Sequence, residues 1–471
     1  MSRLLDNPRT VPYVEPVTGL TAWEVCLRLA DQKHLIFFDS AAPSELGRYS
    51  FVAADPVSVL VSHREKVDPL TGLAERLASF AVEPIDELPP FQGGAAGLFS
   101  YELCHHLERL PRAIRDDFAV PDVAVGIYDW VIAFDHVADR GWLISTGYPE
   151  TDPRRRRHRA VLRAERVKRA LDRRFNPAAH VARLASVPID TNQVPVDGLS
   201  GITSNFDRTR YLQTIARAIE YVHAGDCFQV NIAQRLLAAA APPPLTLYQR
   251  LRERNPAPFA GYFDLGEHII LSASPERFMS VHHGNVETRP IKGTRPRGQN
   301  LADDQRFADE LCASVKDRAE NVMIVDLLRN DLGRVCEYGS IHVESLCRLE
   351  SYPYVHHLVS EVRGRLRSGL GPTDLLRASF PGGSVTGAPK IRAMEIITEL
   401  EQTARGPYCG CLGYIGFDGA MDTNLLIRTI VYSKGRLHFS VGGGIVADSD
   451  PDNEYAETWH KAEGLLRALR E

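Results

Sequence analysis

Apolar residues between positions 20 and 150 come in short runs separated by turn-forming residues. Runs at 35–38, 49–52, 57–61, 96–99, 124–128 and 130–134 are too short for helices and predict strands. Further on the period changes. Tyr211, Ile215, Ile219 and Val222 recur at helical spacing, with Ser204 or Asn205 as the cap and Gly225 as the stop. A strand is predicted at 228–237. The C-terminal half mixes helical patterns, at about 301–332, 372–380, 388–402 and 452–469, with strand patterns at about 269–273, 411–417, 424–432 and 436–441. Ser433-Lys434-Gly435 separates the last two strands and signals a hairpin. Antiparallel sheet with interspersed helices, an α+β class, fits this order better than a regular βαβ repeat.

Two stretches divide the chain. Residues 153–174 hold eleven Arg/Lys against two acids and no glycine, which predicts an exposed basic helix, either a solvated face or a nucleic-acid arm. Residues 176–203, with Pro177, Pro188, Pro195, Gly198 and Gly201, read as a linker between an N-terminal segment (1–175) and a larger C-terminal one (204–471). The hydrophobic fraction of 44% and net charge of −5 fit a globular chain with no general attraction to nucleic acid or anionic lipid. No signal peptide is expected, and there is no run of 18 apolar residues. Eight cysteines in 471 residues are too sparse for a disulfide framework, and Cys409-x-Cys411 lacks a second pair to complete a zinc site. A cytoplasmic protein with reduced thiols is expected.

The candidate chemistry starts at Arg289-Pro290-Ile291-Lys292-Gly293-Thr294. Proline and glycine fix the backbone on either side of the lysine, so its amine is held more tightly than a surface lysine's. Asp317 and Glu320 share one helical face, and Glu454 and Glu457 repeat the spacing on the last helix, with Lys461 one turn on. These faces are either solvated or brought together as an oxygen-only cage of the kind that selects Mg²⁺. Two glycine-rich turns, Pro381 to Lys390 and Val441 to Ile445, would let backbone N–H groups approach an anion, though neither matches a nucleotide motif. Arg428, in an apolar strand, is either paired or waiting for a carboxylate.

Taken together, these stretches resemble the chorismate-utilising enzymes. The matching runs are Ala224-Gly225-Asp226-Cys227-Phe228-Gln229-Val230, Ser274-Pro275-Glu276, the 289–294 run, Asp317-Arg318-Ala319-Glu320-Asn321, Arg329 to Val335, the 381–390 run, Gly442 to Ser449, and Glu454-Tyr455-Ala456-Glu457-Thr458. Gly47-Arg48-Tyr49-Ser50-Phe51 extends the likeness to the amino-group-transferring members. The resemblance implies large, mainly antiparallel sheets in a β-sandwich-like core flanked by helices. It also implies Mg²⁺ on Glu320 and Glu457, with Asp317 and Glu454 in support. Substrate carboxylates would be held by Gly293, Thr294, Thr386, Tyr414, Arg428, Gly442, Gly443, Gly444 and Lys461, and His357 matches a family active-site histidine.

Two positions point to a subgroup. Gln229 stands where water-adding members resemble one another in carrying a lysine. Lys292 stands where anthranilate synthases usually have alanine and aminodeoxychorismate synthases have lysine. The resemblance therefore implies amination of chorismate at C4, with Lys292 as nucleophile and Glu276 as general acid. Ammonia would come from a separate glutamine amidotransferase subunit, because no glutamine-hydrolysing region is visible in the chain. The alternatives are an anthranilate synthase component I and a non-catalytic tryptophan- or chorismate-binding regulator. The tryptophan-pocket run of anthranilate synthases is replaced here by Phe37-Phe38-Asp39-Ser40, with Pro258 and Phe259 as the second wall of a candidate tryptophan pocket.

Overall fold

The computed structural model describes residues 12–470 apart from 42–45, 66, 81, 173–191, 241 and 353–354. Among the described residues, two antiparallel sheets form the frame. The first has thirteen strands. Its centre runs Tyr49–Ala53, Ile36–Asp39, Phe259–Asp264, His268–Ser274, Thr429–Ser433, Arg436–Ile445, Gln229–Ala239. The second has ten, running Ile291–Pro296, Val355–Arg365, Asn285–Thr288, Arg277–His282, Met421–Asn424, Cys411–Gly416, Gly94–Phe99, Val123–Tyr128, Ser58–Ser62, with His342–Ser351 also on Val355–Arg365.

Alternation along these strands explains the layering. Ile36, Phe51, Phe263, Ile270 and Val431 of the first sheet meet Ala96, Leu98, Leu412 and Tyr414 of the second in one buried layer between the sheets. The opposite face of the first sheet is covered by helices Ala22–Arg28, Pro153–Leu171, Pro244–Arg254 and Pro451–Leu469. That of the second is covered by Pro69–Ala78, Val315–Gly333 and Pro372–Ser379. This is the sandwich flanked by helices that the sequence implied. Each sheet takes strands from both sides of residues 176–203: Ile36–Asp39 pairs with Phe259–Asp264, and Gly94–Phe99 with Cys411–Gly416. Residues 176–191 of the expected linker lie outside the described residues; its later part supplies the short strands Val194–Pro195 and Ile202–Ser204. No helix among the described residues is long and apolar enough to cross a membrane.

Four local expectations are corrected. The helical pattern at 301–332 is two helices, Leu301–Ala313 and Val315–Gly333, because Ser314 turns extended and its hydroxyl accepts from Asp317 N at 3.2 Å. The helix Arg208–His223 is capped by Asp207, since Ser204 is in a strand and Asn205 Oδ1 accepts from Arg235 N. The strand expected at 424–432 is interrupted: Leu425 to Arg428 leave the sheet, and Arg428 has φ +52°. Gly442 to Gly444 are not a turn but the end of strand Arg436–Ile445, paired with Ala233, Ile232 and Asn231.

The basic helix Pro153–Leu171 also finds an explanation. Arg163 binds Asp55 and Asp129, Lys168 lies 2.6 Å from Glu15, Arg159 donates to the Tyr148 carbonyl, and Arg157 lies over the Tyr13 ring. Much of its charge pins the helix to the sheet.

The 381–389 turn joins the first sheet through Gly387, which has φ +144° and whose Cβ, if present, would lie 2.1 Å from the Gln229 carbonyl oxygen. Gly387→Ala is expected to cost about 2–3 kcal/mol of unfolding free energy. Gly225→Ala, at φ +83° with nothing within 4 Å, is expected to cost about 1 kcal/mol. Denaturant midpoints check the pair; equal costs would mean that this close approach is not rigid.

Candidate functional site

Five chain segments converge on Lys292. Strand Ile291–Pro296 carries it, at the edge of the second sheet. Gly293 beside it has φ +81°, and a Cβ there would sit 2.9 Å from the Asp317 Cβ, so a bare backbone lets the strand press against helix Val315–Gly333. Strand Val355–Arg365 pairs alongside and sets His357 opposite Thr294, with 2.9 Å between His357 Nδ1 and Thr294 Oγ1. Helices Val315–Gly333 and Pro451–Leu469 bring in the acids. The glycine-only end of strand Arg436–Ile445 lies beneath them.

The two acidic helices do meet. Lys316 Nζ lies 3.8 Å from Glu454 Oε1, bridging one helix to the other. Glu457 pairs with Lys461 Nζ at 2.6 Å, and the same ammonium donates to the Gly442 carbonyl at 2.8 Å. A Cβ on Gly443 would lie 3.1 Å from Glu454 Oε2, 3.6 Å from Glu457 Oε1 and 3.7 Å from Lys461 Nζ, so the absence of a side chain leaves these groups open to a ligand. Burial pushes the Glu320 carboxyl up, with Asp317 and Glu457 adding to it. Burial would also raise Glu457, but the ammonium groups of Lys461, Lys316 and Lys292 outweigh it and bring its carboxyl below the usual range.

Not every acid is free to serve as a ligand. Asp317 pairs with Arg295 at 3.2 Å, and Glu454 accepts from Ser449 at 2.7 Å. Among the described residues, no three His, Cys, Asp or Glu side chains gather into a closed metal cage. The donor set nonetheless fits Mg²⁺, which takes one or two protein carboxylates and completes its shell with water and substrate oxygens; Glu320 has no ion pair among the described residues, and Glu457 would exchange its Lys461 contact for the ion.

Burial pulls the Lys292 amine below the ordinary lysine value, helped by the Lys461 ammonium and opposed by Glu320, Glu276 and Glu457. Glu276 is buried, and desolvation raises its carboxyl to about 7. Ser384 Oγ donates to Glu276 Oε1 at 2.8 Å, and the Ile291 backbone also favours the charged form. His357 is lowered to about 4, first by burial and then by Arg428, so it is neutral at pH 7. Arg428 donates to the Lys461 carbonyl at 3.0 Å and has no carboxylate within ion-pair distance among the described residues.

Two expected residues are placed otherwise. Tyr414 does not join this group: it lies between the sheets, stacked on Phe91 with ring centroids 4.5 Å apart. Tyr408, six residues earlier, lies beside the Arg405 guanidinium instead, its ring centroid 5.6 Å away. Thr386 is fully buried and spends its hydroxyl on the Gly382 carbonyl at 2.9 Å, while its neighbour Ser384 reaches Glu276. Ser384 belongs to the glycine-rich 381–390 run, but its direction depends on the short helical turn Gly383–Val385. Tyr408 carries no periodic signal in the sequence.

A second cavity, of about 510 Å³, brings together Ser40, Pro258 and Phe259 with Asp39, Arg48, Arg277 and Tyr414. Its lining comes from interior strands of both sheets and does not include Lys292. Asp39 in its wall is bound by Arg252 and Tyr248.

A carboxyl held near 7 by burial makes stability depend on pH. At pH 4 Glu276 is neutral in both the folded and the unfolded chain. As pH rises from about 4.5 to about 7 the unfolded chain releases this proton and the folded chain keeps it, so stability falls across that window. Above it the folded chain carries a buried charge, and the full cost is present. Glu276→Gln is therefore expected to match the parent at pH 4 and to exceed it by about 3 kcal/mol at pH 8. Denaturant unfolding across that range checks the sign; a difference independent of pH would overturn it.

Comparison with known proteins bears on the whole frame. The chorismate binding enzyme family model matches residues 33–467. The chain is 40% identical to aminodeoxychorismate synthase component 1 of Salmonella typhimurium, over 97% of this chain and 95% of that protein. It is 43% identical to anthranilate synthase component 1 of Streptomyces coelicolor, over 90% and 81%. The crystal structure of anthranilate synthase component I from Streptococcus pneumoniae superposes with a TM-score of 0.73 at 31% identity, over 90% of this chain and 93% of that one. The sandwich is thus the anthranilate synthase component I fold, and the chain is a chorismate-utilising enzyme belonging to the chorismate binding enzyme family.

Proposed function

We propose that this enzyme aminates chorismate at C4, as an aminodeoxychorismate synthase component I, in the para-aminobenzoate branch of folate synthesis. The observation that carries the reading is Lys292: a half-buried side chain whose amine is depressed by desolvation, within electrostatic reach of Glu320, Glu276 and Glu457. Mg²⁺ bound by Glu320 and Glu457 would supply positive charge for the ring carboxylate of the substrate. Gly293, Thr294, Gly442 to Gly444, Arg428 and Lys461 would hold the substrate's carboxylates, with His357 neutral and fixing the Gly293–Thr294 corner.

In the first step the neutral Lys292 amine forms a bond to C2 of chorismate. Both ring double bonds shift, C1=C2 to C1=C6 and C5=C6 to C4=C5, and the C4 oxygen leaves as water with the Glu276 proton. Lys292 is then a secondary ammonium and Glu276 a carboxylate. In the second step ammonia bonds to C4, and the Lys292 amine departs with the C2–N electron pair. The new C4 ammonium passes a proton to Glu276. The sum is chorismate plus ammonia giving 4-amino-4-deoxychorismate plus water. Ammonia would reach the site from a separate glutamine amidotransferase subunit. The cavity at Ser40, Pro258 and Phe259 would serve as an amino-acid effector pocket, with tryptophan the first ligand to try.

A second reading, anthranilate synthase component I, is favoured by the 43% identity to the Streptomyces coelicolor protein. Product analysis from chorismate, Mg²⁺ and ammonium separates the two, since C4 amination keeps the enolpyruvyl group whereas anthranilate formation releases pyruvate. The proposal expects the C4 product. Lys292→Ala is expected to lose at least about 100-fold of C4 amination, with any residual amination moving to C2. Unchanged C4 amination would remove the covalent role. Glu457→Gln and Glu320→Gln are expected to abolish the Mg²⁺-dependent rise in thermal midpoint; a rise equal to the parent's would exclude them as ligands.

A further inference from the structure

Behind the site, outside the group that faces Lys292, lies a buried cation that the proposed chemistry does not use. Arg405 is 5% exposed. Its guanidinium grips Glu401 bidentately, Nε to Oε2 at 3.0 Å and Nη2 to Oε1 at 2.6 Å. It also donates to two backbone carbonyls, Val385 at 3.0 Å and Asn231 at 2.9 Å. Glu401 Oε1 accepts in turn from Ala233 N at 2.9 Å. Two aromatic rings lie near the guanidinium, Tyr101 at 4.9 Å and Tyr408 at 5.6 Å.

Each contact adjoins a group of the site. Val385 follows Ser384, which holds Glu276. Asn231 pairs with Gly444, and Ala233 with Gly442, in the bare strand under the acidic helix. Tyr408 lies on Arg405's own loop, where Cys409 N donates to the Leu426 carbonyl at 3.0 Å, in the strand break that carries Arg428. Glu102 Oε1 fixes the loop from behind by accepting from Arg405 N at 2.9 Å.

We propose that Arg405, clamped by Glu401, is a positioning residue that sets the mutual placement of the Ser384 turn, the glycine strand and the Tyr408 loop. Only a planar fork serves three directions at once. A lysine ammonium keeps the charge but cannot hold Glu401 bidentately while reaching both carbonyls. The inference rests on the reading of Glu276 as general acid.

The test uses Arg405→Lys and Glu401→Gln in the full chain. Expected for Arg405→Lys is a fall in kcat for chorismate consumption of about 100-fold per folded molecule. The alkaline limb of the pH profile should also move to higher pH, because a loosened Ser384 hydrogen bond no longer favours the ionised Glu276. Glu401→Gln, which keeps an acceptor and removes the charge, should shift both in the same direction by less, and it stands in should Arg405→Lys fail to fold. A merely structural role would lower the thermal midpoint and the folded fraction, leaving kcat per folded molecule and the limb in place; that result overturns the proposal. Titration of Glu276 followed by carboxyl ¹³C NMR reads the same displacement without turnover. A raised midpoint in the variants supports the positioning role, and an unmoved one overturns it even if the parent aminates elsewhere on the ring.

Discussion

An amine is a nucleophile only without its proton, and a lysine surrounded by carboxylates ordinarily keeps it. The arrangement around Lys292 depends on which influence wins. Glu320, Glu276 and Glu457 stabilise the ammonium; burial and Lys461 oppose them, and burial is the largest influence. That balance requires a dry pocket beside acidic side chains, a costly combination in a fold stabilised chiefly by apolar burial. The cost is limited by giving three of the acids a counter-charge and leaving one protonated. Lys316 faces Glu454, Lys461 faces Glu457, Arg295 faces Asp317, and Glu276 is left protonated near neutrality. A bound divalent cation would take the place these ammonium groups hold against Glu457 and Glu320, raising the positive charge near Lys292 and favouring the neutral amine further.

The frame explains why such a pocket sits where it does. A large apolar and aromatic cluster fills much of the space between the sheets, and the groups around Lys292 gather where a strand ends or bends away. Ile291–Pro296 is an edge strand, Leu425 to Arg428 is a break between strands, and Gly442 to Gly444 is the last stretch of a long one. The turn at 381–389 closes over these ends through Gly387. Arg405 and Glu401 act from within, joining turn, strand and loop by charge-assisted hydrogen bonds to backbone. Backbone contacts of this kind fix main-chain position directly.

Much of this was legible in the sequence, and the reasons are local. Strands such as Ile36–Asp39 and Trp130–Asp135 are short apolar runs between turn residues, and the hairpin at Lys434-Gly435 has both residues at positive φ, as its composition required. Glu320, Glu457, Lys292 and Glu276 fell within ordered motifs. What was hidden depended on long-range choices. Ser314 breaks a helix whose apolar period continues through it. Three consecutive glycines suggest a turn, yet they are strand here, paired with Ala233, Ile232 and Asn231; a Cβ would collide with the Ile232 carbonyl at Gly442 and with the Gln229 side chain at Gly444, while Gly443 faces the acids of the last helix. Tyr414 and Tyr408 are six residues apart in similar glycine-rich surroundings, yet Tyr414 enters the layer between the sheets while Tyr408 packs against the core on the far side of the second sheet, beside Arg405.

The near-equal likeness to two kinds of relative follows from the same division between frame and edge. Identity of 40% to one and 43% to the other is measured over 472 and 429 aligned residues, most of which build the shared sheets and helices. On the mechanism proposed, the carbon that receives nitrogen is decided in a far smaller space, by whether a side chain at position 292 reaches the ring before ammonia does. A two-carboxylate grip and a glycine floor serve either outcome, because both begin by holding the same dianion. A direct addition of ammonia needs only one displacement and no protein nucleophile; retaining the ring position of the leaving hydroxyl needs two, and hence an amine that is first bound and then released. Overall identity cannot weigh that difference, whereas the depressed basicity of one lysine bears on it directly.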